Sequence, residues 1–117
     1  MYKFERLEVY KKSLIFVKDI FILTDKIPSH LKFSLISQII RAAISITANI
    51  AEGSGRLSNR ESRNFYNIAK GSIYEVIGLL DIALMQKYIS NEDYKKLYSM
   101  SEEISKMLSG LIKYNEQ

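Results

Sequence analysis

The sequence predicts an all-α fold, one domain over residues 1–117 built as an antiparallel up-down-up-down four-helix bundle. Three observations predict it. Apolar residues recur at alternating steps of three and four in four separate segments, the period of a helix with one buried face. One proline and five glycines in 117 residues are too few for the many tight turns of a small β-sandwich or barrel. Two serine-led capping boxes mark points where the period restarts. Helices of roughly 20–28 residues, at about 1.5 Å per residue, make rods of about 30–40 Å, and short connections between such rods favour antiparallel neighbours.

In the first segment Leu7, Tyr10, Leu14, Val17, Phe21 and Thr24 form the expected stripe, widened by Phe16, Ile20 and Leu23. Pro28 closes it, because the residue before a proline is pushed out of the helical region. The second carries Ile36, Ile39, Ala43, Ile46 and Ile50, ending at Gly53-Ser54-Gly55 with Gly53 expected in the left-handed position past a helix end. Ser58-Asn59-Arg60-Glu61 reads as a capping box opening a third helix, whose inner face is Phe65, Ala69, Ser72, Val76, Leu79 and Ala83, flanked by Ile73, Ile77 and Leu80. Ser90-Asn91-Glu92-Asp93 opens the last, with Leu97, Ile104, Leu108 and Leu111 facing inward.

Composition removes several function classes. With no cysteine there are no disulfides, thiolate metal sites or thiol nucleophiles. A lone histidine, His30, cannot build a multi-histidine metal site, so neither metal nor cofactor is expected. The N-terminus has no apolar run behind its charges, and the most apolar stretch, Leu35 to Ala51, is cut by Gln38, Arg41 and Asn49. A cytoplasmic protein with no membrane partner is the expectation. The net charge is +4; nine basic and five acidic side chains lie through Ser58, and eight of each follow. That surplus permits contact with nucleic acid without demanding it.

Three constellations stand out. Gln38, Arg41, Ser45, Asn49 and Glu52 share the face of the second helix opposite its isoleucines. Their makeup, Gln, Arg, Ser and Asn among alanines, suggests a partly buried hydrogen-bonded network closed by Glu75, structural rather than catalytic. Gly71, Ser72 and Gly78 lie mid-helix in the third segment, where glycine costs about 1 kcal/mol relative to alanine; close helix packing and self-association are the expected reasons. Ser45 and Ser72 have no histidine or lysine partner at triad-like spacing, no Glu-x-x-His pair is present, and Gly53-Ser54-Gly55-Arg56 lacks the rest of a phosphate loop. No catalytic residue is therefore assigned.

The third constellation is basic. Arg56 is followed at helical spacing by Arg60, Arg63, Asn67 and Lys70, with Asn64 and Tyr66 nearby. Arginine and asparagine on one exposed face suit phosphate and base-edge contact, and a tyrosine can stack on an unpaired base. Lys11 and Lys18, with Lys3 and Lys12, make a smaller basic row on the first helix.

The run from Gln38 to Gly53, through Arg41, Ser45, Asn49 and Glu52, continues over Gly55-Arg56, Ser58, Glu61, Phe65, Ile68-Ala69 and Gly71-Ser72 to Glu75. It resembles the bacterial four-helix-bundle proteins encoded in intervening sequences of 23S ribosomal RNA genes, also labelled S23 ribosomal proteins. Similar proteins accompany the reverse transcriptases of diversity-generating retroelements. The resemblance implies a homo-oligomeric ring, a pentamer, associated with RNA or a ribonucleoprotein and without a defined biochemical activity. Two functions stay open: RNA binding through the basic surface, and a scaffold that recruits a protein such as a reverse transcriptase.

Overall fold

The structure, a computed structural model, describes residues 1–116. Among them are four α-helices and no strand: α1 (Glu8–Thr24), α2 (Ser37–Ser54), α3 (Asn59–Met85) and α4 (Asn91–Tyr114). A 3-10 turn at Lys3–Arg6 precedes α1, and a 3-10 turn (Ser29–Leu31) followed by one π-helical turn (Lys32–Ile36) leads into α2. The molecule measures 45 × 22 × 22 Å, and the 27-residue α3 at about 1.5 Å per residue spans about 40 Å of that length.

The serine half of both capping boxes forms. Ser58 Oγ accepts from the Glu61 amide at 3.1 Å and Ser90 Oγ from the Asp93 amide at 3.0 Å, each satisfying one of the orphan donors of a helix start. The core runs the length of the bundle through Phe16 and Ile20 of α1, Ile39, Ile46 and Ile50 of α2, Val76 and Leu80 of α3, and Ile104 and Leu108 of α4. Lys26 bonds Asp93 at 2.8 Å and Lys12 pairs with Glu103 at 2.6 Å, tying α1 to α4. The Lys26 hydrogen bond holds the Asp93 carboxyl below the usual carboxylate range.

The buried stripe of α1 differs from the expected one. Val9, Ser13, Phe16, Ile20 and Leu23 face inward, whereas Leu14 is 47% and Phe21 44% exposed. Ser13 explains the difference. Its hydroxyl donates to the Tyr10 carbonyl at 2.7 Å and accepts from Thr47 Oγ1 at 2.9 Å, so a polar residue sits in the core fully satisfied.

Gly53 is also corrected. It lies within α2, no glycine has positive φ, and the helix runs on to Ser54 with Gly55 as its C-cap. What requires glycine is close approach: a Cβ at residue 53 would lie 2.7 Å from Tyr66 Cε1 and 3.1 Å from Phe65 Cβ. Ser62 donates to the Gly53 carbonyl at 2.7 Å and pins the α2–α3 corner. Gly53→Val is expected to destabilise the protein by about 1–3 kcal/mol through overpacking, measured by urea unfolding; an unchanged midpoint contradicts this contact.

By length and composition alone, Ser29–Ser54 is apolar enough to cross a bilayer. Its Ile39, Ala43, Ile46 and Ile50 are wholly buried against the other helices, and Gln38, Arg41 and Glu52 stand exposed along it.

Candidate nucleic-acid interface

The basic row on α3 is held against the C-terminal half of α4. Arg60 and Asn67 are exposed. The Arg63 guanidinium, half-buried, donates to the Asn115 carbonyl just past the end of α4. A cation there meets the negative pole of the helix. Lys70 Nζ donates to Ser109 Oγ at 2.7 Å. These contacts bring in two cations absent from the expected row: Lys106 and Lys113, exposed and about one turn either side of Ser109. Between Ser58, Arg60, Glu61, Arg63, Asn64 and Asn67 lies an open concavity of ≈ 640 Å³. Exposed cations of this kind contribute little to stability and are available to an anionic partner.

Two expected members do not belong. Arg56 pairs with Glu52 at 3.0 Å and lies 4.5 Å over the Phe65 ring, on the α2 side of α3. Tyr66 is only 4% exposed, and burial pushes its phenol up; it packs on Gly53 and offers no stacking surface. The aromatic on this face is Tyr74, 68% exposed. The spacing Arg63, Asn67, Lys70, Tyr74 steps by four, three and four, so it was readable in the sequence. The α4 lysines were not, because only the tertiary register sets them beside α3. On α1, Lys11 pairs with Glu8 at 3.2 Å and Lys12 with Glu103, which leaves Lys18 and Lys3 of that smaller row.

The polar stripe of α2 forms a network shorter than expected. Ser45 Oγ and Ser72 Oγ are 2.8 Å apart, and Asn49 Nδ2 donates to the Ser45 carbonyl at 2.8 Å and to its hydroxyl at 3.0 Å. Ser72 donates to the Ile68 carbonyl at 3.2 Å. Gln38, Arg41 and Glu75 stay outside it and are exposed, and Glu52 turns to Arg56. Short side chains meet at the α2–α3 seam, while the long ones reach past it to solvent. Gly71 and Gly78 are corrected too. A Cβ at either meets nothing within 4 Å, so neither marks close packing within the chain; both are exposed.

Among the described residues no cluster of three or more His, Asp or Glu side chains is placed to hold a metal. The arrangement suits binding: fixed cations, amide side chains and a nearby aromatic on one face.

The family model for the 23S rRNA-intervening sequence protein matches residues 5–110. A crystal structure of a protein of unknown function from the S23 ribosomal protein family of Bacteroides thetaiotaomicron is similar at a TM-score of 0.83 and 34% identity, over 90% of this chain and 98% of that one. No curated protein matches the chain. The matched segment runs from the turn before α1 almost to the end of α4 and contains the seam network and the α3 part of the basic row, so the chain belongs to the 23S rRNA-intervening sequence protein family.

Proposed function

We propose that this protein is a non-enzymatic, cytoplasmic, homo-oligomeric bundle that binds RNA or a ribonucleoprotein through the α3–α4 face. The observation that carries this reading is an open concavity lined by Arg60, Arg63, Asn64 and Asn67, with Lys70 further along the same face of α3 and the exposed Lys106 and Lys113 on the neighbouring α4. Phosphate contacts from such a row position a nucleic acid without reading its sequence. The reading takes the helices as up-down-up-down. Contacts that step in opposite directions along adjacent helices support it: Arg63 with Asn115 and Lys70 with Ser109, or Lys12 with Glu103 and Lys26 with Asp93. A fluorescent RNA hairpin is expected to bind saturably, with affinity falling steeply as salt rises; absent or salt-insensitive binding contradicts the reading.

Assembly into a ring, a pentamer, is supported by apolar surface that one chain leaves open. Phe33, in the π-helical turn before α2, is 90% exposed and Ile44 of α2 47%, and Leu14 and Phe21 are nearly half exposed on α1. A ring would repeat the basic face and multiply its avidity. Light scattering is expected to give a mass several times 13.5 kDa; a monomer at every concentration contradicts it. The same apolar surface favours the second reading, a scaffold that recruits a protein such as a reverse transcriptase.

A further inference from the structure

Past Lys70, a groove of ≈ 380 Å³ opens between α3 and α4, lined among others by Tyr74, Ile77, Gly78, Tyr98 and the carboxylates Asp81 and Glu102. Its size falls in the range of about 300–1,000 Å³ typical of small-molecule sites. Tyr74 is 68% and Tyr98 41% exposed, so two aromatic rings are accessible to a ligand. Gly78 keeps the mouth clear, since a Cβ there would meet nothing within 4 Å. Asp81 accepts the Tyr94 hydroxyl, which pushes that phenol up to about 12. Glu102 makes no hydrogen bond or ion pair among the described residues, so its carboxylate is available to a ligand.

Aromatic walls, an apolar lining and a carboxylate rim suit a flat heteroaromatic ring with N–H donors on one edge. A carboxylate binds best when it accepts two parallel N–H bonds. Among the four RNA bases only guanine carries two adjacent N–H donors on its Watson–Crick edge, at N1 and at the exocyclic N2. Lys70 lies one turn before Tyr74 on the same face, so a strand tracking the basic row reaches the groove next.

We propose that the α3–α4 groove takes an unpaired guanine base of RNA, stacked against Tyr74 and Tyr98, with Glu102 accepting from N1–H and the N2 amine. The proposal rests on the RNA-binding reading for its ligand, and it adds base selectivity that the row does not supply.

Guanosine monophosphate and uridine monophosphate share ribose and phosphate, so titrating each while following the Tyr74 and Tyr98 ring resonances isolates the base. Guanosine monophosphate is expected to shift both rings saturably and to bind at least about tenfold tighter. Glu102→Gln is expected to bring its affinity down to that of the uridine nucleotide. Gly78→Leu fills the mouth and is expected to abolish the shifts, while leucine in place of an exposed helical glycine favours the helix. Equal affinities, unmoved ring resonances, or full binding by Gly78→Leu overturns the proposal. Loss of salt-dependent hairpin binding with guanosine monophosphate selectivity intact would instead overturn the reading of the row.

Discussion

Replacing Ile46 by alanine is expected to cost about 2–5 kcal/mol, a large share of a small domain's stability. Ile46 is fully buried at the middle of α2, in line with Ile39, Ala43 and Ile50. Deleting its side-chain carbons removes their transfer free energy and leaves a cavity that four packed helices close only in part. The upper half of the range is expected, because the wholly buried side chains of all four helices, from Phe16 to Leu108, hold the surroundings in place. Urea unfolding followed by far-ultraviolet circular dichroism measures the loss as a shifted midpoint with an unchanged slope. Ile44→Ala two residues earlier, at a site 47% exposed, is the contrast: in a lone chain it is expected to change stability little, and a large loss there would place Ile44 under a second subunit. A near-neutral Ile46→Ala contradicts the packing described.

Periodicity and capping carried most of the fold. The isoleucines of α2 and the two serine caps were legible because each is a local rule: an apolar face repeating every turn, and a hydroxyl meeting an amide three residues on. What the sequence did not disclose depended on neighbours from elsewhere in the chain. Ser13 looks like a surface residue until Thr47 supplies its donor, so the α1 stripe was drawn through Leu14 and Phe21. Gly53 looks like a helix stop until the Tyr66 ring is seen against it. The polar stripe was correctly placed on one face, yet only Ser45 finds a partner across the seam, in Ser72, and Asn49 joins through Ser45. The basic row was half legible: its α3 members share a period, but Lys106 and Lys113 join through the register of α4 on α3.

The central claim is that the α3–α4 face binds RNA phosphates, and charge reversal tests it most directly. Arg63 and Lys70 are unsuitable for reversal because they also anchor α4. Arg60, Lys106 and Lys113 are exposed, with no hydrogen bond or ion pair among the described residues. Arg60→Glu/Lys106→Glu/Lys113→Glu is therefore expected to keep helicity and oligomer mass. It is expected to weaken RNA-hairpin binding more than about tenfold and to flatten the slope of log affinity against log salt by about one unit per cation removed. Lys3→Glu/Lys11→Glu/Lys18→Glu, on α1 and the turn before it, makes the same change in net charge, so it separates local contact from overall attraction. The decisive measurement is the salt slope of hairpin binding for these two variants beside the unaltered protein. The account predicts a flattened slope for the α3–α4 variant and a nearly unchanged one for the α1 variant. An unchanged slope for the α3–α4 variant, or an equal loss in both, contradicts it.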